Sequence, residues 1–317
     1  MAALIWFSPP DRAEEDFPLV MFWNLENLFD WRRDTALASP SEEEFTSLGK
    51  KHWTRRKFSR KCQAIAKTIL WIADGHGRLP DIIGAAEVEN SFVLKKLTEE
   101  TVLRKYGYAF IQYDSPDPRG IDVALLYRKD ILEPLDSKPL AVTNPNKDGP
   151  PLLTRDILLA KFRRPAGDSL AVLVNHHPSK YGEDSGWRRE AAMTRLEEIT
   201  DSLLAAGTEN IVAMGDFNDT PESTSGYSSK MKNMALPLAR KGLGTIKYSG
   251  KWEMIDMFFI SPALARNRPG SEMRVEKVPF LMVKDNTHSG EKPLRTYTGP
   301  RYTGGVSDHC PITLAIK

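Results

Sequence analysis

The sequence has only two cysteines, Cys62 and Cys310, far apart and in no CxxC pair. That excludes a cysteine zinc site and a disulfide scaffold, leaving room for one chance disulfide. It also lacks any apolar run long enough to cross a bilayer. Charge of one sign is missing as well. Lys and Arg number 44 against 42 Asp and Glu, a formal net charge of +2, too even for strong nonspecific attraction to nucleic acid or membranes. No internal repeat and no low-complexity linker is present, which argues against a solenoid or an array. The opening "MAALIWFSPPDRAEED" has no basic n-region and only a short apolar run, so it is a poor signal peptide; a truncated remnant is the alternative.

What is present is an ordinary globular composition with one local imbalance. Lys50–Lys61, "KKHWTRRKFSRK", carries many bases and no acids, just after the acidic "SEEE" at 41–44. The plain reading is a solvated helix face, and the second is a patch that tracks phosphates.

Apolar patterning supplies the elements. Buried-strand runs are "PLVMFW" (18–23), "DIIGAAE" (81–87), "IDVALLYR" (121–128), "ILLAKFR" (157–163), "SLAVLVN" (169–175), "NIVAMG" (210–215), "EMIDMFFIS" (253–261), "MRVEKVPFL" (273–281) and "CPITLAI" (310–316). Helical spacing runs through "SRKCQAIAKTILWIAD", where Cys62, Ile65, Ala66, Ile69 and Leu70 recur. A second helix is expected over "SFVLKKLTEETVLRKYG", closed by Gly107. In the third, Ala192, Leu196, Ile199 and Leu203 form one stripe and Gly207 stands at the C-cap position. Strands outnumber helices, and several consecutive strands have no helix between them. The expectation is one α/β domain of two mixed sheets packed face to face with helices outside, rather than a doubly wound parallel sheet.

Polar residues collect at the ends of these runs. Asn24 and Glu26 follow the first, Glu87 ends the second, and Asn175 and His176 end "LAVLV". Asp216 and Asn218 follow "IVAMG", whereas Asp122, Asp256 and the pair Asp308–His309 precede or enter apolar runs. In a mixed sheet both kinds of end can share one rim. Oxygen ligands in number suit a hard cation such as Mg²⁺ or Mn²⁺, and zinc would want more His or Cys. Magnesium takes one or two carboxylates plus water and substrate phosphate, so the other acids and histidines stay available for proton transfer. Each residue has a bland alternative: an Asx turn for 216–219, a strand end for Glu87, structural histidines at 176 and 177, a turn at Asp308. Asp256 resists that reading, because it interrupts an apolar strand and a buried carboxylate needs a partner.

"FWNLENLF", "AAEVEN", "RGIDVALLYR", "VNHHPSK", "MGDFND", "MIDMFFIS" and "VSDHCPI" occur in the order of the motifs of the endonuclease/exonuclease/phosphatase superfamily, which the chain resembles from about residue 18 to 317. That superfamily includes DNase I-like nucleases, abasic-site endonucleases, sphingomyelinases and inositol-polyphosphate phosphatases. "EEEFTSLGKKHWTRRKFSRKCQAIAKTI" and "YSGKWEMIDMFFIS" look most like a bacterial branch labelled endonuclease. The resemblance implies a four-layer α-β-β-α sandwich of two mixed β-sheets over residues 18–317, preceded by an extension over 1–17.

It also implies roles. Glu87 matches the principal metal ligand, with Asn24, Glu26 and Asp308 beside it. Asp216 matches the acid that activates or orients the attacking water, Asn218 a phosphate-holding amide, His309 the histidine at the scissile phosphate, and Asp256 the carboxylate orienting it. His176 matches a histidine or tyrosine that contacts the phosphate or helps the leaving group. Arg119, His177 and Lys180 are expected on the substrate side, and Asp122 is expected to orient His176. The implied activity is Mg²⁺-dependent phosphodiester hydrolysis, with Mn²⁺ as a substitute, on nucleic acid; a monomer is assumed, since the sequence does not give the oligomeric state. The alternatives are a phosphomonoesterase or phospholipase on inositol or lipid phosphates and, more remotely, a silent binding protein on this scaffold.

Overall fold

The computed structural model describes residues 17–32, 40–180 and 185–317. The extension expected over 1–17 lies, except for Phe17, outside the described residues. Two six-stranded sheets dominate. The strands in chain order are β1 Leu19–Leu28, β2 Ile82–Val88, β3 Tyr108–Gln112, β4 Asp122–Arg128, β5 Glu133–Leu140, β6 Ile157–Arg163, β7 Ser169–His176, β8 Asn210–Asp216, β9 Lys232–Asn233, β10 Asp256–Ile260, β11 Glu272–Val275 and β12 Ile312–Ala315. The first sheet runs β11-β12-β1-β2-β4-β3 and the second β5-β6-β7-β8-β10-β9. Each has one parallel pair at its centre, β1 with β2 and β7 with β8, and antiparallel neighbours outside it.

Alternation along β1 sorts its side chains to two cores. Val20 and Phe22 face the second sheet, sharing a cluster with Met214 and Phe258. Met21 and Trp23 face the helices. Those helices are α1, Arg55–His76, and α2, Ser91–Glu99. Thr54 caps the start of α1 by accepting from the Lys57 N–H, and Gly77, at φ +66°, ends it. On the far side, α3, Ser185–Ala205, buries Ala192, Leu196, Ile199 and Leu203. The order is helix, sheet, sheet, helix, as expected.

Three local expectations change. The second helix stops at Glu99, because Thr101 turns its side chain onto the backbone: its hydroxyl donates to Leu97 O and accepts from Leu103 N–H, opening a separate 3-10 turn over Val102–Lys105. The strand expected over 273–281 ends at Val275, and Pro279 opens a short 3-10 turn. Both cysteines are free and buried, so there is no disulfide between them.

Candidate active site

Parallel pairing puts the C-terminal ends of β1, β2, β7 and β8 on one edge, and the antiparallel strands β4 and β10 begin there. Register then fixes neighbours: His176 lies opposite Asp216, and Asp216 opposite Asp256. The two sheets are joined across this rim by Asn24, whose amide donates to Asp216 Oδ2 at 3.0 Å.

The backbone is strained here. Among the described residues, Glu26 (φ +47°), Asn27 (+59°), Glu87 (+60°) and Asn218 (+49°) all adopt left-handed conformations without being glycine. Each costs about 1–3 kcal/mol and persists only where its surroundings over-determine it. Pairing is irregular at the same places, between Asn24 and Leu28 and between Ala86 and Val88. Bulges of this kind re-aim a side chain at the end of a strand.

Three groups of side chains result. In the first, His309 Nδ1 stands 2.8 Å from Asp256 Oδ2, and its Nε2 stands 3.7 Å from Asp216 Oδ2. All three residues are buried. Burial opposes charge on the imidazole, but Asp256 and Asp216 outweigh it and hold His309 protonated well above the usual histidine range. Burial and the Asp256 charge together raise the Asp216 carboxyl, against His309, the Asn24 amide and the Asn218 N–H.

In the second group Glu26 and Asp308 share Arg295. Arg295 Nε donates to Glu26 Oε1 at 2.8 Å, and Nη2 stands 3.1 Å from Asp308 Oδ2. Thr296 N–H takes Glu26 Oε2 at 2.7 Å. Beneath lies Lys61, buried, with Nζ donating to Glu26 O at 2.5 Å and Thr296 Oγ1 at 2.8 Å. Burial lowers Lys61 to about 8 despite Glu26 and Glu87. Burial, then Asp308, raises the Glu26 carboxyl to about 6.

In the third, Glu87 accepts the Asn27 N–H at 2.9 Å and faces Arg119 at 3.4 Å and His176 Nε2 at 3.9 Å. Burial, with Arg155 and Arg119 nearby, pushes His176 well below its ordinary value, so it is neutral at neutral pH. Arg155 secures the His176–His177 turn, donating Nε to His176 O at 3.1 Å and Nη2 to His177 O at 2.6 Å while pairing with Asp117.

The donor chemistry suits a hard divalent cation. The carboxylates of Glu26, Glu87 and Asp308 all interact with both Lys61 and Arg295, and every one of these donors is an oxygen. Asp216, Asp256 and His309 also offer ligand atoms within 4.8 Å of one another. There, however, the imidazole is held protonated and hydrogen-bonded to Asp256 through Nδ1, an arrangement suited to moving protons.

A model of the Endonuclease/Exonuclease/phosphatase family matches residues 19–317. The chain belongs to that family. It is a phosphoesterase-family chain by that membership, and its two packed mixed sheets are the DNase I-like fold. Solved structures of similar fold include a Bacteroides thetaiotaomicron mannosyl-6-phosphatase, with TM-score 0.59 and 17% identity over 94% of this chain and 98% of that one. Truncated Caenorhabditis elegans TDP2 gives 0.58 and 15% over 94% and 96%. The human Nocturnin catalytic domain with bound sulfate gives 0.56 and 16% over 94% and 92%. A search of curated proteins returned no match.

Set against the sequence expectations for this family, Asn24, Glu26, Glu87, His176, Asp216, Asp256, Asp308 and His309 come together. Asn218 joins them through its N–H on Asp216 Oδ1 at 2.9 Å, and its amide donates to His177 O at 3.0 Å. Asp122 does not meet His176: Ser115 N–H (2.8 Å), the Ser115 hydroxyl and Gln112 Nε2 (2.9 Å) take its carboxylate instead. His177 packs edge-on against Phe217, and burial lowers it to about 3. Lys180 pairs with Glu253 at 2.9 Å. Sequence reasoning missed Arg295, Lys61 and Arg155. Lys61 was visible only as one member of the basic run.

Proposed function

We propose that this chain is a divalent-metal-dependent phosphodiesterase acting as a nuclease, in which water attacks phosphorus in line with the leaving oxygen. The observation that carries the reading is the buried Asp256–His309–Asp216 chain, with contacts of 2.8 and 3.7 Å. It pairs a carboxylate able to take a proton with an imidazolium able to meet negative charge.

Glu87, with Asn24, Glu26 and Asp308, would hold Mg²⁺ or Mn²⁺, which supplies Lewis-acid neutralisation of the phosphate oxygens. Asp216 accepts the proton of the attacking water. Its raised carboxyl makes it a stronger base than an ordinary aspartate. His309 donates Nε2–H to charge developing on the phosphate oxygens, with its tautomer and tilt set by Asp256 through Nδ1. Asn218 offers its remaining amide hydrogen to a phosphate oxygen. Neutral His176 presents Nε2 between Glu87 and Asp216, 3.9 and 3.8 Å away, where it can contact the phosphate or serve the leaving group.

Asp216→Asn and His309→Ala are each expected to lower Mg²⁺-dependent hydrolysis of bis-p-nitrophenyl phosphate and of plasmid DNA by about 10²–10⁴-fold with an unchanged circular dichroism spectrum. Wild-type-like rates in either variant would remove the site. A panel of plasmid, abasic DNA, RNA, inositol phosphates and sphingomyelin, with Mg²⁺ and with Mn²⁺, tests the substrate. Free phosphate released from inositol phosphates alone would overturn the nuclease.

A further inference from the structure

A cavity of about 390 Å³ opens beside the catalytic rim, and Glu26, Arg119 and Arg295 belong to both. Three cations line it, Lys51, Arg119 and Arg295, against the carboxylates Glu26 and Glu44. Three cations against two carboxylates leave the lining a formal surplus of one positive charge. The arginines remain accessible, with side chains 43% and 54% exposed. Arg295 places Nε and Nη2 on the two carboxylates, and a guanidinium carries five N–H donors. Lys51 Nζ donates to Gly299 O at 3.0 Å and stands 3.6 Å from Glu44. Tyr297 supplies an aromatic wall, its ring centroid 5.2 Å from Lys51 Nζ.

The basic run is therefore not one feature. Arg55, Arg56 and Arg60 are exposed to solvent and Lys61 is buried under Glu26, whereas Lys51 lines this cavity. A planar fork beside a compact ammonium is the pairing that recognises phosphate, the first bidentately and the second as a point charge.

We propose that the cavity is a second anion subsite that seats a further phosphate group of the substrate, next to the one hydrolysed, and that Lys51 is a specificity residue. This rests on the phosphodiesterase reading above and narrows it to substrates with at least two neighbouring phosphates. A nucleic acid backbone and a multiply phosphorylated inositol both present that chemistry.

The test compares two substrate pairs: a thymidine dinucleotide with and without a 5′-phosphate, and an inositol bisphosphate against a monophosphate. The readout is the ratio of kcat/KM with the second phosphate to that without. Loss of one charge-assisted contact predicts a fall of about tenfold in that ratio for Lys51→Ala, restored in Lys51→Arg. The pair that shows it identifies the source of the phosphate. A wild-type ratio near one, or an unchanged ratio in Lys51→Ala, overturns the subsite. If the wild type hydrolyses neither pair, the hydrolase reading is decided separately on plasmid DNA and bis-p-nitrophenyl phosphate, and calorimetry with inorganic pyrophosphate decides the subsite apart from turnover. Binding weakened about tenfold in Lys51→Ala would support it and equal binding would overturn it. Lys51→Gln replaces Lys51→Ala should the alanine variant not fold.

Discussion

At the scale of the residue, the sharpest consequence concerns Asp256, whose carboxylate is hydrogen-bonded to His309 and lies opposite Asp216. Its negative charge raises both His309 and Asp216. If turnover needs Asp216 ionised and His309 protonated, the pH profile has an acid limb from the first and an alkaline limb from the second. Asp256→Asn removes a charge that favours the protonated form of each, so both limbs are expected to move to lower pH, by about 1–3 units. Profiles of kcat/KM for the two proteins check this, and limbs that stay in place would dissociate Asp256 from the titration. The two apparent values belong to the coupled pair rather than to either residue. Most of this group was legible in the sequence because each member ends or interrupts an apolar run. Arg295 was not, because a lone arginine in a loop carries no periodicity, and only folding brings it to Glu26 and Asp308. Asp122 misled for a related reason. Its partners Ser115 and Gln112 are brought to it by pairing of β3 with β4, and β3 is half-exposed and was not read as a strand.

At the scale of the element, apolar runs gave nine strand expectations, and those buried on both faces matched their observed bounds within a few residues. The misses are edges and breaks. β5, "EPLDSKPL", is an outer strand, mostly exposed, with two prolines and a lysine. Edge strands use such residues to discourage further pairing, and so carry no apolar signature. Position within an element also explains Gly215, the residue before Asp216. A Cβ there would stand 2.3 Å from Asn175 O and 2.7 Å from Asn175 Cβ on the parallel neighbour β7. Those atoms belong to a central strand that cannot yield alone. Gly215→Ala is therefore expected to cost about 1–3 kcal/mol in urea unfolding, as overpacking does. It should also lower kcat, because β7 and β8 carry His176 and Asp216 in register. Full stability would mean that the strands separate more easily than their packing suggests.

At the scale of the whole molecule, charge is nearly balanced, but one rim is not. Glu26, Glu87, Asp216, Asp256 and Asp308 converge there, offset by Lys61, Arg119, Arg295 and the protonated His309. The backbone strain at Glu26, Glu87 and Asn218 adds to the cost of assembling that rim. Repulsion of this kind between carboxylates exists only in the folded chain, so a cation that relieves it binds the native state and not the unfolded one. With the proposed divalent metal bound there, mass action raises the unfolding free energy by about 2.7 kcal/mol at a hundred times its Kd. Glu87→Gln keeps an oxygen for the Asn27 N–H and removes the charge. It is expected to be as stable as the wild type without metal and to lose most of the gain with it. Unfolding curves with and without Mg²⁺ and Mn²⁺ measure both quantities in each protein. An equal gain in the two would take Glu87 out of the ligand set while leaving the hydrolase reading to stand on Asp216 and His309.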